Sequence, residues 1–195
     1  MSPILLPLRL VLTGHPKRAA RQLRWLYYMR TTSDPLRLHL GCGNRRFPNF
    51  INIDCNYSRA TDYLGSAGLL PCKNDSVERI ENYHVIEHIP YPAVRAVLEE
   101  WFRVLLPGGT LVIECPDLDQ ATREYLGGND ERLYSIYGRQ RFPGDAHHWG
   151  YNPARLKTLL ESVGFSDVEG KPPQDYHKEN EPCLRVECRK PTTGP

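Results

Sequence analysis

Alternating apolar and polar residues mark the first predicted strand of the chain. Residues 36–40 alternate leucine with polar side chains and lead into Gly41 and Gly43. Alternation with a period of two is typical of a buried strand, and glycines permit the tight turn that follows it. A second short apolar run, residues 50–53, comes directly before Asp54. Because the carboxyl ends of neighbouring parallel strands form a ligand crevice, we expect Asp54 to face the glycine loop.

Helical periodicity predicts the elements that cover these strands. Apolar residues recur at intervals of three and four in residues 94–105 and again in residues 156–163. Asn152 is expected to be the N-cap of the later helix, with proline at its first position. Residues 117–139 are expected to form one or two helices with a break at residues 127–129. Two strands near the end of the chain, at about residues 165–168 and 184–188, complete the pattern.

A basic amphipathic helix is predicted before the first strand. In residues 16–30, Ala19, Leu23, Leu26 and Tyr27 share one side, whereas arginines and a lysine occupy the other. Three interpretations remain open: packing on the sheet edge or over the pocket, attachment to an anionic membrane surface, and contact with nucleic acid.

Length and composition predict one globular domain with extensions. The chain has 195 residues, 40% of them hydrophobic, and a net charge of +2. We divide it into a basic amphipathic N-terminal extension (residues 1–33), the main domain (residues 34–190) and a disordered tail (residues 191–195). The six cysteines form no Cys-x-x-Cys pair, which favours reduced thiols. Since the apolar run at residues 4–12 fits neither a membrane span nor a signal peptide, we expect a cytoplasmic protein and leave open its association with a membrane.

The spacing around the glycine loop distinguishes two kinds of nucleoside site. In both kinds of site, glycine backbone lies close to the ligand and an acidic side chain binds two ribose hydroxyls. A dinucleotide site has a third glycine, where this chain has Arg46, and its acid follows about 20 residues later. Asp54 follows Gly43 at only about half that distance, which leaves little room for a helix between the two strands.

Three sequence motifs resemble those of the class I S-adenosylmethionine-dependent methyltransferases. Leu-Gly-Cys-Gly at residues 40–43, with Asn-Ile-Asp at residues 52–54, resembles motif I and the second-strand acid of that family. His-Val-Ile-Glu-His at residues 84–88 and Pro-Gly-Gly at residues 107–109 resemble two further signatures. The resemblance implies an α/β fold: a Rossmann-like seven-stranded methyltransferase sheet with an antiparallel last strand and a shortened first helix.

The same resemblance implies that S-adenosyl-L-methionine is the cofactor. The implied contacts are Gly41, Cys42, Gly43 and Asn44 around the methionine carboxylate and ribose, Asp54 on the ribose hydroxyls, Ser66 and Ala67 near adenine, and His84 beside the sulfonium. Ser66 is a departure, because the family has an acidic residue at the matching position.

Histidines are the candidate catalytic residues. Methyl transfer from a sulfonium requires mainly alignment of the reactants, with proton removal as an optional contribution. His88, His147 and His148 are the candidate bases on the acceptor side. His147 and His148 lie in the glycine-flanked segment 138–150, which is expected to form a loop over the pocket. The alternatives are that His88 braces its loop and that the other two are merely packed or solvated.

The predicted function is transfer of a methyl group to an oxygen or nitrogen of a small-molecule or glycan acceptor. One alternative is a metal-dependent methyltransferase, because the spacing of His84, Glu87 and His88 resembles the Glu-x-x-Glu-His ligand set of such enzymes, and His147 is available to complete the shell. The other is a non-catalytic S-adenosylmethionine-binding partner protein. We assign no metal ligand, expect no nucleic-acid partner, and leave open peripheral membrane contact through residues 1–30. The sequence predicts no oligomeric state.

Overall fold

The computed structural model describes residues 15–192. The predictions that concern residues 1–14 and 193–195, including the start of the N-terminal extension and most of the predicted disordered tail, lie outside the described residues.

Seven strands form one mixed sheet. They are β1 (Leu36–Leu40), β2 (Ile51–Asp54), β3 (Tyr63–Leu64), β4 (Val77–Tyr83), β5 (Leu105–Pro116), β6 (Ser166–Lys171) and β7 (Cys183–Arg189). Their order across the sheet is β3-β2-β1-β4-β5-β7-β6. Neighbouring strands pair in parallel from β3 to β5, whereas β7 is antiparallel to both β5 and β6. The predicted α/β sheet with an antiparallel last strand is therefore confirmed.

Five helices accompany the sheet in the described part of the chain. They are α1 (Pro16–Thr31), α2 (Tyr91–Val104), α3 (Leu118–Leu126), α4 (Arg132–Tyr137) and α5 (Pro153–Val163), with 3-10 turns at Ile86–His88 and Tyr176–Glu179. Residues 41–50 contain no helix, which confirms the shortened connection between β1 and β2. The predicted break between α3 and α4 is also present.

Packing and capping explain why α2 and α5 form where the periodicity predicts them. The buried stripe of α2 includes Leu98 and Trp101, which join the strand residues in one hydrophobic core. At the start of α5, the Asn152 side chain accepts a hydrogen bond from the Arg155 backbone N–H at 2.8 Å. Gly164 ends α5 in a left-handed conformation.

The buried face of α1 differs from the predicted one. Leu23 and Tyr27 are 52% and 71% exposed, whereas the buried residues are Ala19, Gln22, Leu26 and Met29. The reason is an anchor at the sheet edge, where the Gln22 side-chain oxygen accepts a hydrogen bond from the Leu64 N–H at 3.1 Å. A polar residue therefore belongs to the inward face, and α1 packs on the β3 edge.

The strand β5 follows α2 directly. It includes the Pro-Gly-Gly segment, and its pairing with β4 shifts register between Val77 and Arg79. Gly108, with φ of +79°, absorbs the irregularity.

Among the helices of residues 15–192, none combines the length and hydropathy needed to cross a bilayer.

Candidate active site

The glycine loop after β1 lies against the segment that follows β4. Gly41 has φ of +68°, and a Cβ added there would lie 2.2 Å from Val85 Cγ2. A side chain is therefore excluded both by conformation and by space. Gly43 has φ of +50°, but a Cβ added there would meet nothing within 4 Å. The loop thus presents exposed backbone next to the carboxyl end of β4.

Asp54 faces this loop from the end of β2. Its Oδ2 accepts a hydrogen bond from the Gly43 backbone N–H at 2.8 Å, and its Oδ1 accepts one from the Asn56 N–H at 2.7 Å. A carboxylate oxygen has more than one acceptor direction, so both oxygens keep capacity for a further donor. Asp54 therefore faces the glycine loop, as the sequence predicts.

The other residues of the loop contribute in different ways. The Cys42 side chain is buried, and burial raises the pKa of its thiol to about 11, so it is neutral at physiological pH. Asn44 is exposed beside Gly43. Arg46 pairs with Asp62 at 2.9 Å and so ties the end of the loop to the segment before β3.

The segment after β3 completes this edge of the sheet. The Gly65 N–H donates to the Asp54 backbone oxygen at 2.9 Å, which brings Ser66 and Ala67 close to Asp54. The Ala67 backbone oxygen accepts a hydrogen bond from Trp101 Nε1 at 2.8 Å, and the exposed Ser66 hydroxyl accepts one from the Gly68 N–H. We call the region formed by residues 41–44, Asp54 and residues 66–67 the cofactor edge.

A polar cavity of about 310 Å³ adjoins the end of β4. Its walls come from residues 84–88, 131–147 and 177–181, and they include four histidines, three acidic residues and three arginines. The histidines are His84, His88, His147 and His177. We call this region the histidine cavity. The segment 138–150 lies over it as a loop, as its composition predicts.

His84, which lines the cavity, forms a pair with the buried Glu87. His84 has φ of +55°, and its Nδ1 lies 3.1 Å from Glu87 Oε1. Burial lowers the pKa of His84, but the neighbouring Glu87 carboxylate outweighs burial and the pKa is raised. Burial likewise raises the pKa of Glu87, but His84 holds it below its usual value. The His177 ring lies 3.9 Å from the His84 ring between centroids.

Two of the three predicted catalytic histidines line the cavity. His88 Nδ1 donates to the Ala146 backbone oxygen at 3.0 Å, and His147 Nδ1 donates to the Ser135 backbone oxygen at 2.9 Å. His148 has an exposed side chain outside the cavity lining. Its backbone N–H donates to the Glu87 backbone oxygen at 2.7 Å and so holds the loop in place.

The segment 174–181 is the part of the site that sequence reasoning missed. It supplies His177 and Glu181 to the cavity and is held by Glu114, whose carboxylate accepts hydrogen bonds from the backbone N–H groups of Gln174 and Asp175 at 2.9 and 3.0 Å. The available signal was Glu114 itself, an acidic residue in the apolar run of β5. A buried carboxylate requires donors, and these backbone groups supply them.

Comparisons with known proteins point to one family. A family model described as a methyltransferase domain matches residues 49–113, which include Asp54, His84 and His88. A probable S-adenosylmethionine-dependent methyltransferase of Mycolicibacterium smegmatis is 30% identical over 114 residues, or 58% of this chain and 38% of that protein. The chain thus spans well under half the length of that relative.

Solved structures show the same fold. A SAM-dependent methyltransferase from Archaeoglobus fulgidus aligns over 97% of this chain and 95% of its own, with a TM-score of 0.57 and 16% identity. The chain thus has the fold of a SAM-dependent methyltransferase. A second methyltransferase, the Burkholderia thailandensis 1,6-didemethyltoxoflavin-N1-methyltransferase with bound 1,6-didemethyltoxoflavin and S-adenosylhomocysteine, aligns over 89% of this chain and 77% of its own, with a TM-score of 0.55 and 13% identity. The family resemblance inferred from the sequence is confirmed.

Proposed function

We propose that this protein is an S-adenosylmethionine-dependent methyltransferase that acts on an oxygen or nitrogen of a small-molecule or glycan acceptor. The observation that carries the proposal is the hydrogen bond from Gly43 to Asp54, which sets an exposed backbone loop opposite a carboxylate at adjacent strand ends. The similarity of residues 49–113 to methyltransferase domains supports the same conclusion.

The chemistry of the cofactor edge supports S-adenosyl-L-methionine as its ligand. The open side of Gly43 leaves room for a ligand, and the Asp54 oxygens can accept two ribose hydroxyls. We assign the backbone of Gly41, Cys42 and Gly43, with Asn44, to the methionine carboxylate and ribose. Ser66 and Ala67 are assigned to adenine, and His84 to the surroundings of the sulfonium. When bound there, the cofactor supplies a methyl group that is already activated for transfer.

The histidine cavity is the proposed acceptor site. Since His88 and His147 both donate from Nδ1 to backbone carbonyls, the Nε2 atom of each carries a lone pair. Such an atom can receive a proton from an acceptor hydroxyl or amine, provided that the two come within hydrogen-bond distance. The His148 side chain is exposed, and its backbone N–H holds the loop by donating to the Glu87 backbone oxygen. Its catalytic role stays a prediction.

The protein's partners other than the acceptor, and its location in the cell, stay predictions. The α1 surface combines exposed Leu23, Tyr27 and Tyr28 with basic residues, which supports peripheral membrane contact through residues 1–30. Cytoplasmic location rests on the sequence alone, as does the expectation that the protein binds no nucleic acid.

Detection of S-adenosylhomocysteine tests the proposal. The protein is incubated with S-adenosylmethionine and a panel of hydroxylated, phenolic, amine and glycan acceptors, and the product is measured by mass spectrometry. We expect acceptor-dependent S-adenosylhomocysteine and a product 14 Da heavier than its acceptor, as a methyl group replaces a hydrogen. Cofactor binding with no transfer to any acceptor of the panel would instead favour the non-catalytic binding protein.

A further inference from the structure

A fully buried carboxylate with one unpaired oxygen lies beside the histidine cavity. The Glu87 side chain is 2% exposed, and its Oε2 receives no hydrogen bond from residues 15–192. The other oxygen, Oε1, lies 3.1 Å from His84 Nδ1 and is paired with it. A buried carboxylate is stable when it is paired and its lone pairs are used, so the unpaired Oε2 is a position where a cation can bind.

Two histidines present potential ligand atoms to this carboxylate. Glu87, His88 and His147 each offer one ligand atom, and all of these atoms lie within 4.8 Å of one another. The backbone carbonyls of Ala146 and Ser135 can only accept hydrogen bonds, so Nδ1 of each histidine carries the proton and Nε2 carries the lone pair. A hydrogen bond from the second ring nitrogen to a carbonyl is the usual support of a metal-binding histidine.

We propose that Glu87, His88 and His147 bind a divalent transition-metal ion of the zinc class. Two imidazole nitrogens and one carboxylate are ligands typical of Zn²⁺, Fe²⁺ and Mn²⁺, whereas Mg²⁺ and Ca²⁺ prefer oxygen ligands alone. Both histidines line the cavity, so the site has a side open to a further ligand. This assignment replaces the sequence-based expectation of no metal ligand, and it uses His147 instead of His84 as the third residue.

A second group in the same cavity is the competing site. His84, His177 and Glu181 also bring three ligand atoms within 4.8 Å of one another. However, His177 Nδ1 already lies 2.5 Å from Asp175 Oδ2, and the Glu181 side chain is 19% exposed. Within residues 15–192, this group contains no fully buried carboxylate with an unpaired oxygen. The case for a bound cation is therefore stronger at Glu87.

A metal at this position would face the proposed acceptor. There it would polarise an acceptor oxygen or nitrogen as a Lewis acid and favour its deprotonated form. Because the Nε2 lone pairs of His88 and His147 would then be metal ligands, the metal would replace these histidines as the group that promotes deprotonation. Metal binding by Glu87, His88 and His147 does not depend on the proposed function, whereas the use of the metal in the reaction does. Binding is therefore measured without cofactor or acceptor.

Zinc titration of the untagged full-length protein tests the proposal. The protein is treated with a chelator, dialysed, and titrated with zinc chloride by calorimetry, and bound metal is counted by elemental analysis. We expect one zinc ion per chain in the wild type. Glu87→Gln and His147→Ala should each weaken zinc binding by at least about tenfold, because the first removes the negative charge and the second removes a ligand nitrogen. His148→Ala, which alters an exposed neighbour outside the group, should bind zinc like the wild type.

Three results would overturn the proposal. The first is a wild-type protein that binds zinc no more tightly than His147→Ala. The second is zinc affinity that is lost in His177→Ala and retained in His147→Ala, because it assigns the metal to the competing site. The third is a loss of zinc affinity in His148→Ala that equals the loss in His147→Ala.

If circular dichroism shows that Glu87→Gln is unfolded, His147→Ala carries the test. S-adenosylhomocysteine binding is measured on the same samples, so that failure of the metal site is distinguished from failure of the cofactor edge.

Discussion

The cofactor edge and the histidine cavity lie next to each other at the carboxyl end of the sheet, but they are built differently. The cofactor edge is formed largely by backbone and one carboxylate, from the stretch of chain between β1 and the segment that follows β3. The histidine cavity is formed by side chains from three segments that are far apart in the sequence. The first region depends on strand ends that any chain of this fold has, whereas the second depends on individual side chains.

This difference predicts how each region responds to substitution. In the cofactor edge, a change of backbone conformation should be more damaging than a change of side-chain chemistry, with Asp54 as the exception. In the histidine cavity, side-chain chemistry should matter most. The predictions below test this contrast, beginning with the largest expected effect.

Alanine substitution of the two loop glycines should separate folding from binding. Gly41→Ala should lower the free energy of unfolding by about 3 kcal/mol, from roughly 1–3 for overpacking and roughly 1–2 for the left-handed conformation. The stiff β-branched side chain of Val85 limits relief of the clash. Gly43→Ala should cost only about 1 kcal/mol, because its Cβ meets nothing, but should weaken cofactor binding. Urea unfolding and calorimetry provide the two measurements. Equal losses of stability would contradict the proposed geometry of the loop.

Two nearby carboxylates should have different effects on cofactor affinity. Asp54→Ala should weaken binding of S-adenosylhomocysteine tenfold or more, because hydrogen bonds to a charged group contribute about 1.5–3 kcal/mol each. Asp62→Asn is the matched control. Asp62 is occupied by Arg21, Arg46 and Asn52, so its loss should leave affinity nearly unchanged. Unchanged affinity in Asp54→Ala would mean that the acid does not contact the cofactor.

Asp62 should instead contribute pH-dependent stability. Burial raises its pKa, but hydrogen bonds from Asn52, Arg21 and Arg46 outweigh burial and lower the pKa below the usual value. A lowered folded-state pKa means that the stabilisation is complete above the unfolded pKa of about 3.9 and is lost as pH falls through the folded pKa. Thermal unfolding of wild type and Asp62→Asn should therefore differ most at neutral pH and converge in acid. A difference that stays constant down to acid pH would rule out this role.

The sequence was informative where structure follows from local pattern. The leucine alternation of β1, the cap at Asn152 and the position of Asp54 are short-range features, and each is found as predicted. The face of α1 was wrong because Gln22 is anchored to β3, a long-range contact that periodicity does not encode. His177 and Glu181 were missed for the same reason, since Glu114 on another strand holds their segment in place.

Calorimetric titration with S-adenosylhomocysteine and with NAD, in parallel, tests the central claim most directly. The account predicts one-site binding of S-adenosylhomocysteine that is weakened at least tenfold by Asp54→Ala, and no binding of NAD, because the connection between Gly43 and Asp54 lacks the helix that a dinucleotide site uses. Binding of NAD without binding of S-adenosylhomocysteine would contradict it.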